Sequence, residues 1–211
     1  MTQHPLPKSQ YIQSTDPKKA IVIHHTAGGH RPDYTVDAWT QDSQRVATAF
    51  VIGGKSIVNG DTQFDGEVYQ CYDAKYYAFH LGVKGHPNLE KQSIGIEVCN
   101  YGWLRPANGK FFNYVNKPVP ADQVTDLGHE WRGYRYWHSY TPAQIQSLKQ
   151  LLQMLSVQFK IPIRKAWNVL SFGYNSSAVA GAGGLWTHAN YRKDKTDMYP
   201  HPALVAMLNT L

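Results

Sequence analysis

Residues 20–25 read Ala-Ile-Val-Ile-His-His and run into a turn at Gly28-Gly29. Four apolar residues in succession describe a strand covered on both faces, which belongs inside a sheet flanked by helices rather than on a half-wet one. Other segments fit the same plan. Thr48–Ile52, Glu67–Cys71 and Ser93–Cys99 read as further strands, and Ile57-Val58-Asn59-Gly60 carries an Asn-Gly hairpin signal. Thr35 is placed to cap a short helix with Val36 and Trp39 facing inward. Thr141-Pro142-Ala143-Gln144 forms a capping box with proline at the first helical position. Ile145, Leu148, Leu152, Leu155 and Phe159 then follow as one apolar stripe until Pro162. A last helix starts near Pro202, with Leu204, Leu208 and Leu211 on one face. The expected fold class is α/β: a single domain with a mixed central sheet flanked by helices.

At 211 residues the chain has the size of one domain with a real core. Residues 1–18 read as an irregular arm, residues 19–211 as the domain, and residues 100–140, aromatic and punctuated by Pro and Gly, as a surface insertion. No apolar run approaches the roughly 20 residues of a membrane helix. The polar stretch Met1–Lys19 has no apolar segment of a secretory signal, so synthesis in the cytoplasm is expected. Cys71 and Cys99 are then expected as free thiols. The net charge of +6 favours an anionic partner. The basic residues are scattered and no nucleic-acid module is visible, so a nucleic-acid partner is not expected.

Two distant stretches carry the chemistry. His24 and His25 end the first strand, on opposite faces, so only one of them serves a given site. Thr187 through Asp197 supplies His188, Lys195 and Asp197 in a polar loop. Two histidines and one carboxylate from opposite ends of a domain match the ligand set of a catalytic zinc site with a fourth position open to water. Each has an ordinary alternative: a hydrogen-bonded core histidine, or a solvated loop. In Ser93–Cys99, alternation puts Ile94, Ile96 and Val98 on one face and Glu97, between Gly95 and Cys99, on the other. Glu97 is thus either satisfied by a neighbouring cation or a general base at the floor of a cleft.

Taken in order, Ile21–Gly28, Thr48–Ile52, Ala78-Phe-His80-Leu-Gly82, Ser93–Glu97, Tyr140–Gln144 with its helix, and His188 through Lys195-Thr-Asp197 resemble the zinc-dependent N-acetylmuramoyl-L-alanine amidases. These are relatives of the peptidoglycan recognition proteins and of phage amidase endolysins. The resemblance runs from about residue 19 to the C-terminus. It implies one zinc ion per chain held by His24, His188 and Asp197, with Lys195 as the catalytic lysine and Glu97 as the general base. The second-strand position where other branches place a tyrosine is Thr48 here. His80 corresponds to a histidine lining the substrate cleft, and Thr48 and His25 are expected beside the substrate. After Asp197 stands Met-Tyr-Pro, where family members usually have Pro-Gly.

The implied reaction is hydrolysis of the amide between N-acetylmuramic acid and L-alanine in peptidoglycan or muropeptides. A monomer is expected, acting on the cell wall if it serves as an endolysin and otherwise in the cytoplasm. The aromatic-rich segment, including Trp103, Trp131 and Trp137, suits a glycopeptide partner or simply packs on the body. The alternatives are a peptidoglycan-binding module without catalysis, a different zinc hydrolase, and, from the charge alone, a nucleic-acid binder.

Overall fold

The computed structural model describes residues 1–211. In chain order the strands are β1 (Thr2–Gln3), β2 (Ala20–His25), β3 (Phe50–Ile52), β4 (Val68–Gln70), β5 (Ser93–Val98), β6 (Trp103–Ala107), β7 (Lys110–Phe112), β8 (Pro118–Val119), β9 (Val124–Trp131), β10 (Tyr134–His138) and β11 (Gly184–Thr187). The helices are α1 (Pro32–Thr40), α2 (Pro87–Lys91), α3 (Pro142–Phe159), α4 (Ser176–Val179), α5 (His188–Tyr191) and α6 (Pro202–Leu208).

The main sheet has the order β1-β4-β3-β5-β2-β11. From β3 to β11 all neighbours are parallel, while β4 runs antiparallel to β3. The buried run of residues 20–25 is therefore an interior strand, as its composition requires. Alternation along β2 and β5 sends Ile21, Ile23, Ile94 and Ile96 into the main core with Leu148, Leu152 and Leu155 of α3 and Leu204 of α6. Val22 points the other way and packs with Leu81, Leu89, Ala178 and Tyr191. This is the mixed α/β sheet with helices on both faces that the pattern predicts. The capping box of α3 is formed on both sides, and Lys160 closes that helix in a left-handed conformation (φ 55°).

Three local expectations are corrected. Helix α1 begins at Pro32 with Arg31 as its cap, so Thr35 lies inside it; the proline is pre-set for the first helical position. Asn59-Gly60 forms a turn closed by Gly60 N–H on the Ser56 carbonyl (3.1 Å), but no strands flank it. Strands β3 and β4 pair across a longer connection. The first residues are not an irregular arm throughout: β1 pairs with β4, Leu6 N–H donates to the Cys71 carbonyl (2.8 Å), and Leu6 is buried. A two-residue strand is too short to show a period. Its partner is an otherwise unpaired sheet edge, which the sequence does not reveal.

The larger correction concerns residues 100–140. They build a second, five-stranded sheet, β8-β7-β6-β10-β9, antiparallel throughout. Trp131 and Trp137 belong to the main core, and Trp137, fully buried, stacks on Tyr199 with ring centroids 4.6 Å apart. These two tryptophans are packing residues, not a wall-binding platform. Trp137→Ala is expected to cost about 3–5 kcal/mol, the usual loss for a large aromatic removed from a core; urea unfolding checks it.

Both cysteines are free and buried, and burial raises both thiols. Two buried histidines make the fold acid-sensitive. Burial first, then the charge of His25, lowers His138 to about 3, and burial lowers His201 to about 4. His138 Nδ1 accepts from the Tyr101 N–H (3.3 Å), which needs the neutral ring. The unfolded chain protonates these rings near pH 6.5 and the folded chain only near 4 or below, so acid favours unfolding in between. The metal-free protein is expected to lose thermal stability steadily from pH 6.5 to 4, read by melting temperature across that range.

Candidate metal centre

Ligand sites in open α/β sheets form beyond the carboxyl ends of the parallel strands, where the strand order reverses. Here β2 connects forward to β3 across β5, and β5 connects to β11 across β2. His24 lies near the carboxyl end of β2, Glu97 near that of β5, and His188 directly follows β11. His24 and Glu97 are register partners on adjacent parallel strands, so their side chains share a face. Asp197 is tied back under α5 by Ala189 N–H on its carbonyl (2.9 Å).

The three expected ligands meet. His24 Nδ1 lies 3.0 Å from His188 Nδ1 and 3.2 Å from Asp197 Oδ2, and His188 Nδ1 lies 2.9 Å from that same oxygen. All three residues are buried. The hydrogen-bond network assigns the protons. Ser93 Oγ donates to the Leu89 carbonyl (2.6 Å), so it accepts from His80 Nε2 (2.9 Å). His80 Nδ1 is then bare and accepts from His24 Nε2 (2.9 Å), which leaves His24 Nδ1 bare. His188 Nε2 donates to the Leu81 carbonyl (3.0 Å), which turns its Nδ1 inward. With neutral rings, two nitrogen lone pairs and an acceptor-only carboxylate face one another at about 3 Å. A cation between them satisfies that arrangement. Ligands about 2.0–2.1 Å from a tetrahedral zinc stand roughly 3.4 Å apart, close to these separations. Two imidazoles and one carboxylate suit zinc or a similar transition ion rather than magnesium or calcium.

Electrostatics follow from burial. Desolvation, the charge of His188 and that of His80 lower His24 to about 3, with the nearby Asp197 carboxylate opposing. Burial raises the Asp197 carboxyl, but the two histidines more than offset this and hold it well below the carboxylate range. Glu97 is pushed well above its ordinary value, first by burial and then by Asp197, with Lys195 opposing. Its Oε2 is buried without any hydrogen-bond partner. The ordinary alternative for this residue, a carboxylate satisfied by a neighbouring cation, is therefore absent.

A cavity of about 300 Å³ opens over the cluster, lined by His24, Thr48, His80, Glu97, His188, Lys195 and Asp197. Lys195 is half-buried at its edge. The three expected substrate neighbours, His80, Thr48 and His25, line this cavity, and each also has a partner inside the protein. His80 sits behind His24 as its hydrogen-bond partner. A methyl on Gly95 would meet Thr48 Cγ2 at 2.7 Å and His80 Cγ at 3.1 Å, so this glycine makes room for both. The Thr48 hydroxyl is taken up by the Phe50 carbonyl (2.9 Å). His25 contributes to the cavity wall but bonds to the Tyr140 hydroxyl (2.9 Å). Burial lowers it to about 4.

Arg132, in the β9–β10 turn, reaches the loop carrying Lys195. Its guanidinium donates to the Lys193 carbonyl and to that of Ala189 (3.3 Å). Nothing in the sequence around Arg132 marks this role, because the partners are main-chain carbonyls from another part of the fold.

A sequence model of the N-acetylmuramoyl-L-alanine amidases matches residues 14–202. The chain belongs to this family. Among solved structures the amidase resembles PlyL (TM-score 0.54, 13% identity, covering 100% of this chain and 95% of the other). It also resembles an AmpD derivative (TM-score 0.52, 18% identity, 99% and 92% covered). A third likeness is the N-acetylmuramoyl-L-alanine amidase LysC from Clostridium intestinale (TM-score 0.50, 13% identity, 99% and 96% covered). At these identities the likeness is one of fold. We found no significant sequence match among curated proteins. No helix of the amidase is long and apolar enough to cross a membrane.

Proposed function

We propose that this amidase binds one zinc ion per chain through His24, His188 and Asp197 and hydrolyses the amide between the lactyl group of N-acetylmuramic acid and L-alanine in peptidoglycan or its fragments. The observation that carries this reading is the meeting of the two Nδ1 atoms and one carboxylate oxygen at 2.9–3.2 Å, beside a carboxyl oxygen that has no partner.

Zinc, when bound there, supplies a Lewis acid and brings the pKa of a coordinated water down to roughly 7. Glu97 is the general base. Its unpartnered Oε2 takes a proton from the attacking water and returns it to the leaving amine nitrogen. The carbon–nitrogen bond breaks, the carbon–oxygen bond forms, and the products are a carboxylic acid on the sugar and a free peptide amine. Lys195 presents its ammonium to the carbonyl oxygen on which negative charge develops. Burial lowers the His24 pKa, which keeps that ring neutral and its Nδ1 lone pair available to a metal. The net charge of +6 draws the enzyme to an anionic wall polymer.

The test pairs elemental analysis with release of free peptide from purified peptidoglycan, before and after chelation. The expected result is about one zinc per chain and peptide release that chelation removes and zinc restores. Zinc without release supports a binding module instead; a product other than intact peptide freed from the sugar supports another hydrolase.

A further inference from the structure

Both metal-binding histidines lean on one three-residue loop. His80 accepts from His24 Nε2 through its side chain, and Leu81 accepts from His188 Nε2 through its carbonyl. What holds that loop is a buried acid from outside the metal site. Glu90, in α2 and only 5% exposed, receives the N–H of His80 (2.9 Å), of Leu81 (3.1 Å to each oxygen) and of Gly82 (2.9 Å). Three consecutive amides thus converge on one carboxylate. The His80 ring stands 3.9 Å from Glu90, beyond hydrogen-bond length, so the acid grips the main chain rather than the imidazole.

We propose that Glu90 is a positioning residue for the metal centre: by clamping residues 80–82 it sets both His24 and His188 in the Nε2–H tautomer, so that both Nδ1 atoms are ready for zinc before zinc arrives. The proposal rests on the zinc reading of His24, His188 and Asp197. A carboxylate only accepts, and here every contact is a donor. A glutamine at 90 keeps the shape but turns an NH2 group towards main-chain N–H groups, which releases part of the loop. The Leu81 carbonyl and the His80 ring then lose their fixed aim together. A residue that orients the outer nitrogen of a ligand histidine typically changes metal affinity about 10–100-fold. Glu90 acts one step further out, but on both histidines at once.

Two measurements test the proposal. The first uses nitrogen-15 histidine NMR on the metal-free wild-type protein. His24 and His188 both in the Nε2–H tautomer is the expected result; an Nδ1–H form or a mixture at either ring overturns the proposal, and no variant need fold for this. The second compares zinc affinity of wild type and E90Q by competition with a chromophoric chelator. The expected result is roughly 10-fold or greater weakening in E90Q, with mixed tautomers at both rings. A lower melting temperature with unchanged zinc affinity overturns it, since Glu90 is then only a packing residue. Wild type that binds no zinc defeats the metal reading itself, while its tautomers still report on the clamp.

Discussion

Glu97→Ala is expected to keep its zinc and to lose turnover by about 10²–10⁴-fold, the range that general acid–base catalysis contributes. The side chain lies on the central strand β5, in register with His24, and it lines the cavity rather than the ligand triangle. It makes none of the contacts that join His24, His188 and Asp197, so metal content has no reason to change. Its burial, and the Asp197 charge beside it, hold the carboxyl well above its ordinary value, which makes it a stronger proton acceptor than an exposed carboxylate. Glu97→Gln, of the same shape, is expected to be as inactive and more stable than the alanine variant. Zinc by elemental analysis and single-turnover peptide release read the two properties separately. Activity retained in both variants would falsify the assignment of the base.

His188→Ala is expected to lose zinc and turnover together. It removes one of three donors and leaves Asp197 with His24 Nδ1 alone at 3.2 Å. The loss of a ligand itself exceeds the roughly 10–100-fold that follows from losing a ligand's outer hydrogen-bond partner. Chelator competition gives the affinity. The contrast with Glu97→Ala separates holding the metal from moving the proton, and a His188→Ala protein that keeps full zinc content overturns the ligand set. Thermal melting in the presence of chelator shows whether the variant still folds, since the metal-free wild type is the proper reference.

Much of the site can be read from local order. His24 follows four apolar residues, and strand β2 is interior because nothing in that run tolerates water. Glu97 is marked by alternation along β5, which puts it opposite three aliphatic side chains. His188 and Asp197 are legible only as members of a polar loop, and become candidate ligands through the likeness of several short stretches taken in order. Other positions gained a further contact. His80 lines the cavity, as expected, and also hydrogen-bonds His24 Nε2, which the sequence does not show. Trp131 and Trp137 were readable as a platform or as packing, and only their burial, Trp137 against Tyr199 and Trp131 against Trp137, decides for packing. Glu90 has the sequence look of any acidic residue in a short helix, and its three donors are backbone groups that carry no side-chain signature.

Sequence alone determined the elements whose signals are local: the interior strands β2 and β5, the capped helix α3 with its stripe of leucines, and the helix α6 that starts at proline. Those signals are periodicity and capping, which a chain carries in its own neighbours. Tertiary structure alone decided the second sheet, the edge strand β1, the three amides that meet on Glu90 and the reach of Arg132 to the loop carrying Lys195. In each of these the partner is a main-chain N–H or C=O, far along the chain for β1 and Arg132 and nearer for Glu90 and the hairpins of the second sheet. Every residue but proline offers such groups alike, so nothing in the order of side chains announces which of them will meet.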